Sequence, residues 1–318
     1  MAGYLFRRVL AAIPVLLGVS VLAFALIRLV PGDVVTATLG LHYTEAQGAA
    51  LREAHGLDRP AVVQYLLWLR NVATGELGHS LMADRPVTAL ILERLPVTLE
   101  LAGGSLIYAL LTGIPLGVLA ALRRSGPVDH ACSIAGLAGI SIPGFWLGTL
   151  LILLFSLKLG WLPSGDFVSL LDDPRSNLEH MLLPVLGLGT AVAAVIMRMT
   201  RSAVLDVLRQ DYVRTARAKG VARTGVILRH TLRNALVPVV TIAGLQGGYL
   251  LGGSVVIEEV FSLPGLGRLA LEAIGNRDYP LLQGVLLFVA GGFVVINLLV
   301  DLLYSVLDPR IRYRGAAA

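Results

Sequence analysis

Six apolar runs recur along the chain, at residues 9–30, 97–122, 131–157, 180–199, 239–257 and 281–307. Each reaches or approaches the ~20 residues an α-helix needs to cross the ~30 Å hydrocarbon core of a bilayer. In lipid every backbone N–H and C=O must be satisfied inside the segment, so runs of this length fold as helices. The expected fold class is therefore all-α: a polytopic membrane protein with six transmembrane helices. The composition agrees, since 56% of the 318 residues are hydrophobic and only 15% are charged. That balance, with a mean hydropathy of +0.77, excludes an ordinary soluble domain.

The first run follows Arg7-Arg8, and Ala23-Phe24-Ala25 resembles a signal cleavage site. Signal cores span only ~7–15 apolar residues, so the longer run reads as a retained first span with Arg28 snorkelling at its far end.

The net charge of +5 and pI of about 9.6 do not imply nucleic acid, because the cations recur beside the ends of apolar runs and form no single soluble face. Alternate connections hold Arg7, Arg8, Arg123, Arg124, the basic cluster of residues 198–233, and Arg310, Arg312 and Arg314. The others hold Asp166, Asp172, Asp173, Glu258, Glu259 and Glu272. By the positive-inside rule both termini and the basic cluster are expected in the cytoplasm.

Between the fourth and fifth runs, residues 211–238 are helix-prone but too polar for hydrocarbon, so they are expected at a membrane surface. Asp211 opens a helix through Tyr212, Arg214, Thr215, Ala216, Arg217, Ala218 and Lys219, and Gly220 stands where helices commonly end in a left-handed cap. Arg217 and Lys219 fall in the last turn, where the helix dipole favours cations. A second helix over residues 224–234 leads to Pro238. A juxtamembrane segment of this kind binds either anionic lipid or a protein partner.

Residues 31–96 read as a helical insertion on the outer side, between an N-terminal segment of residues 1–30 and a core of residues 97–318 that contains a cytoplasmic loop at 203–234. In the insertion, Thr44-Glu45-Ala46-Gln47 fits a capping box, a helix is expected to stop at Gly56, and Pro60 starts another. A third helix is expected before Pro96.

Gly244, Gly248 and Gly252 recur four apart on one helix face, as do Gly113 with Gly117 and Gly144 with Gly148. Such rows let helix backbones approach closely. The triple row is placed near either the translocation path or a partner subunit. Glu100 and Asp301 are ionisable groups within apolar runs and so are candidates for a path or proton relay. The alternative is local pairing with an amide or hydroxyl, for example Asn297 beside Asp301.

The six histidines are scattered without metal-ligand spacing, so no metal site is expected. The single Cys132 reads as a small buried apolar residue. No GxxxxGK[ST] loop occurs, and Lys158 and Lys219 are the only lysines. Nucleotide binding by a phosphate loop is thus excluded from this chain, and no catalytic motif such as GxSxG is present.

Thr215-Ala216-Arg217-Ala218-Lys219-Gly220 with the Asn234-Ala235-Leu236-Val237-Pro238 ending resembles the "EAA loop" of ABC importer permeases. In that family the loop is the coupling helix that docks on an ATPase subunit; its eponymous Glu is Thr215 here. The opening from Arg7-Arg8 to Asp33 also resembles the dipeptide, oligopeptide, glutathione and nickel branch. So do Gly56-Leu57-Asp58-Arg59-Pro60, Leu95-Pro96-Val97-Thr98-Leu99-Glu100-Leu101, Gly160-Trp161-Leu162-Pro163, Pro264-Gly265-Leu266-Gly267, Arg277-Asp278-Tyr279-Pro280 and Asp308-Pro309-Arg310.

The resemblance implies a type I ABC importer permease fold in the bacterial inner membrane. It further implies a second permease subunit, two ABC ATPase subunits that bind ATP and Mg, and an extracytoplasmic substrate-binding protein, with membrane lipid around the spans. No cofactor and no enzymatic activity are expected of the chain itself. Peptide is the expected cargo, with nickel or another small solute as the alternative. Readings from other classes are an ion-coupled secondary transporter using Glu100 or Asp301, or an intramembrane enzyme or scaffold.

Overall fold

A computed structural model describes residues 2–29, 44–54 and 58–307. The tail arginines, Asp308-Pro309-Arg310, His42, His55 and the expected helix stop at Gly56 lie outside those residues. Among the described residues the elements are helices, with no β-strand. They are α1 (Ala2–Leu29), α2 (Glu45–Ala54), α3 (Ala61–Ala73), α4 (Val87–Leu122), α5 (Pro127–Ser141), α6 (Gly144–Leu151, continued by a π-helical turn Ile152–Lys158) and α7 (Pro174–Leu208). Next come α8 (Asp211–Ala218), a short turn Arg223–Gly225 with a π-helical stretch Val226–Leu232, α9 (Arg233–Val260), α10 (Leu266–Gly275) and α11 (Tyr279–Leu307).

Among the described residues four stretches are long and apolar enough to cross a membrane: α4, α7, the combined run Arg223–Val260, and α11 as Tyr279–Leu302. A fifth is the pair α5 and α6 if its halves count as one span. Within α1 the described side chains give an apolar helix over Leu10–Ala25.

The expected third run is not one straight helix. It breaks between Ser141 and Gly144, and its halves are bent by 100°. Proline at 143 disfavours α-helical geometry at Ile142, which takes an extended backbone (φ −82°, ψ 121°). Conversely, no break occurs at Pro96: α4 runs unbroken from Val87 to Leu122, joining the expected third insertion helix to the second run. Glu258, expected in an acidic loop, lies inside α9 and is fully buried. The helix persists to Val260, and Leu263 N–H returns to the Glu258 carbonyl (2.8 Å).

The chain forms two compact units. In the first, built on Leu99–Leu263 and α11 from Val295 on, α7 is the central helix. It packs against α9, α5 and α6, and buries Leu183, Val192, Ile196 and Val204. Asp173 caps its N-terminus, accepting the N–H groups of Arg175 (3.1 Å) and Ser176 (3.2 Å), with Pro174 at the first helical position. Glycines set the spacing. A Cβ on Gly113 would stand 2.7 Å from the Ala193 carbonyl oxygen, and one on Gly117 would stand 2.5 Å from that of Met197. Both contacts are with backbone, which cannot swing aside. The pair Gly113 and Gly117 thus permits the close approach of α4 to α7.

The second unit comprises Phe6–Thr98 and Pro264–Val294. Val87, Ile91, Leu266, Leu269, Leu281 and Val285 form its core. The Thr98 hydroxyl accepts the buried Leu266 N–H (2.8 Å), tying the Leu95-Pro96-Val97-Thr98 motif to Pro264-Gly265-Leu266-Gly267. Asp278, 1% exposed, accepts hydrogen bonds from the Ser80 hydroxyl and from the N–H groups of Leu81, Met82 and Leu281, each at 3.3 Å. Its place in Arg277-Asp278-Tyr279-Pro280 is therefore that of an anchor for the 80–85 turn. Nearer the N-terminus, Phe24, Tyr65 and Trp68 stack α3 against α1, and Tyr65 shares a hydrogen bond with Ser20 (2.8 Å). Just ahead of α2, Thr44 accepts the Gln47 N–H (3.3 Å), one half of the expected capping box.

Candidate functional site

The basic hairpin occupies the connection from α7 to α9. Its first arm, α8, ends as the sequence predicts. Gly220 has φ +80°, the left-handed conformation that a Cβ disfavours. Val221 N–H bonds the Ala216 carbonyl (3.2 Å) and Gly220 N–H the Arg217 carbonyl (3.0 Å). These two bonds make a Schellman cap, which satisfies carbonyls that the helix end would otherwise orphan.

One side of α8 is fixed and the other is open. Val213 (0% exposed) and Ala216 are buried, whereas Asp211, Tyr212, Arg214, Thr215, Arg217, Ala218, Lys219 and Gly220 are exposed. The buried pair lies three residues apart, as one face of a short helix requires. Side chains brace the two arms: Asn234 Nδ2 donates to the Tyr212 hydroxyl (2.9 Å) and to the His230 carbonyl (3.1 Å). Thr215, standing where the resembled loop has Glu, donates its hydroxyl to the Asp211 carbonyl (3.0 Å), and Arg214 reaches the Asp211 carboxylate at 3.5 Å. The expected second helix is present but continuous with α9. It begins at Arg223 and runs through the π-helical stretch with no stop at Pro238.

Sequence reasoning missed the support behind the hairpin. Asp129, in the first turn of α5, is buried and receives both Arg201 Nε (2.6 Å) and Nη2 (2.8 Å), a bidentate pair. The Ser125 N–H adds a third bond (2.9 Å). Arg201 belongs to α7, the helix that feeds the hairpin. A cluster of Ala121, Ala203, Val204 and Ala235 joins the ends of α4 and α7 to the start of α9.

The path candidates lie on three helices, α4, α9 and α11. Glu100 accepts a hydrogen bond from Asn177 Nδ2, which also donates to the Val168 carbonyl (2.8 Å). Asp301 is half-buried towards the end of α11. In the triple row of α9, a Cβ on Gly244 would meet Val300, Gly248 is buried, and Gly252 has nothing within 4 Å. Among the described residues no group of three or more His, Cys, Asp or Glu side chains is arranged to hold a metal ion.

The fold defines the class. The MetNI methionine ABC transporter in its inward-facing conformation superposes with a TM-score of 0.58 at 20% identity, covering 70% of this chain and 97% of that one. The chain thus has the type I ABC importer permease fold. Sequence matches then give the family. Residues 113–313 match the binding-protein-dependent transport system inner membrane component, and residues 1–102 match the N-terminal membrane component of the same systems. The chain belongs to this family, and is a multi-pass inner-membrane transport subunit rather than a catalytic enzyme.

Similar proteins include the oligopeptide transport system permease protein of Bacillus subtilis, 43% identical over 316 residues, covering 98% of this chain and 100% of that one. The glutathione transport system permease protein of Salmonella choleraesuis is 44% identical over 314 residues, covering 99% and 100%. The dipeptide transport system permease protein of Alkalihalophilus pseudofirmus is 41% identical over 337 residues, covering 98% and 100%.

Proposed function

We propose that the chain is one permease subunit of an ATP-driven importer for peptides or glutathione-like molecules, forming the translocation path with a second permease. An extracytoplasmic binding protein delivers cargo, and two ATPase subunits supply the work. Both termini and the hairpin face the cytoplasm, residues 31–96 form an extracytoplasmic insertion, and α1 and the bent α5–α6 pair complete six spans. The names of the full-length relatives support the cargo class.

The observation that carries the reading is the hairpin itself. It is held from below by Val213, Ala216 and the Tyr212–Asn234 brace, and it presents Arg214, Thr215, Arg217, Ala218, Lys219 and Gly220 outward. Such an element is stiff enough to pass motion from a docked partner into α7 and α9, because it is continuous with one and packed on the other. ATP-driven closure of the ATPase pair then rocks these helices as rigid bodies and alternates access. Glu100, already engaged by Asn177, is assigned to structure rather than ion coupling.

The test replaces Gly220 with Val, which forces a β-branched residue into left-handed backbone at a cost of about 1–2 kcal/mol. Co-purification of the ATPase subunits should fall while membrane insertion is kept, and Gly220→Asn should retain most of it, since Asn tolerates this conformation. Equal co-purification by all three proteins would remove the coupling assignment.

A further inference from the structure

A cavity of about 420 Å³ opens beside the hairpin, lined by Ala121, Leu122, Leu208, Val226, Ile227 and Val221 together with Arg217 and Arg223. Leu122 is the last residue of α4 and Leu208 the last of α7. Its apolar wall is therefore built where two membrane-length helices end. Neither guanidinium has an acidic partner among the described residues. The nearest carboxylate in sequence, Asp211, is engaged by Arg214.

We propose that this cavity is a binding site for an anionic phospholipid, with its phosphate held by Arg217 and Arg223 and the upper part of an acyl chain lying on Leu122, Leu208 and Ile227. The chemistry is that of an amphiphile. Guanidinium groups present forked donors that match phosphate oxygens, and an aliphatic wall beside them rewards burial of methylene groups. A free phosphate would leave that wall wet. A lipid there fills the gap between the end of α4 and the hairpin, stiffening the lever that the partner ATPase drives.

The inference rests on the hairpin lying at the membrane surface, as the proposed function has it; because Arg217 also stands on the face given to the ATPase, the test reads lipid on the chain alone, with no ATPase present. Delipidated full-length protein in detergent is titrated with phosphatidylglycerol, phosphatidylcholine and inorganic phosphate, and bound lipid is counted by native mass spectrometry. Arg217→Gln/Arg223→Gln should weaken phosphatidylglycerol binding by roughly tenfold or more, as expected for two cations removed from a lipid surface. Arg229→Gln, a single charge on the same hairpin outside the cavity, should change it by less than about threefold, and phosphatidylcholine should bind weakly throughout.

Unchanged binding by the double variant, or an equal loss in Arg229→Gln, overturns the site. Displacement of phosphatidylglycerol by inorganic phosphate at similar concentration overturns the lipid assignment. Tight phosphatidylglycerol binding by a protein that captures no ATPase would instead sink the coupling reading and leave the lipid site standing.

Discussion

Arg201 grips Asp129 across 72 positions of sequence, through two hydrogen bonds of 2.6 and 2.8 Å. The pair fastens the first turn of α5 to the helix that leads into the hairpin, and the Ser125 N–H on the same carboxylate includes the turn between α4 and α5. Three helix ends are thereby held together next to the element assigned to coupling. Gly117 adds to the same junction, since its backbone lies against Thr200 and Arg201.

Removing one member of this pair should be costly. Asp129 is buried, but the Arg201 side chain is 32% exposed, so Asp129→Ala should destabilise by about 2 kcal/mol, below the ~3–5 kcal/mol of a fully enclosed pair. Denaturant unfolding in detergent measures it. The double variant Asp129→Leu/Arg201→Met should recover much of the loss because no buried charge is stranded. Losses that simply add would show that the two side chains act separately.

Glycine substitutions should divide by location. Gly117→Ala places a methyl group 2.5 Å from a backbone oxygen, and overpacking of this kind costs about 1–3 kcal/mol. Gly252→Ala meets nothing within 4 Å and should leave the melting temperature of the isolated chain unchanged. Gly252→Leu provides a further readout: if that open face meets the second permease, yield of the assembled complex falls while the chain alone stays stable.

The second unit depends on buried acceptors. Thr98→Val keeps the shape but strands the Leu266 N–H, at a cost of about 1–3 kcal/mol. Asp278→Ala removes the acceptor for three backbone amides and the Ser80 hydroxyl. Limited proteolysis should then cut first within residues 80–85. Resistance equal to that of the parent protein would show that other contacts hold the turn.

These contrasts show what sequence could reveal. Membrane-length helices and the Gly220 cap were legible because each depends on residues close in the chain: an apolar run in one case, and a glycine one position beyond a basic last turn in the other. The break at Ile142-Pro143 had a local signal in its proline, hidden by apolar residues on both sides. Pro96 gave the opposite error, a proline read as a boundary that the helix passes through. The bonds from Arg201 to Asp129 and from Asn177 to Glu100 join residues 72 and 77 positions apart, and neither spacing nor periodicity reports such pairs. The cavity beside Arg217 was equally hidden, because its walls come from the ends of α4 and α7 and from the hairpin.

The most direct measurement is transport in proteoliposomes. Vesicles containing the chain alone, with an ion gradient imposed, should accumulate no labelled peptide. Vesicles containing it with the second permease, the two ATPases and the binding protein should accumulate peptide only when ATP is supplied on the hairpin side. Uptake by the chain alone, or ATP-independent uptake by the complete assembly, would contradict the account.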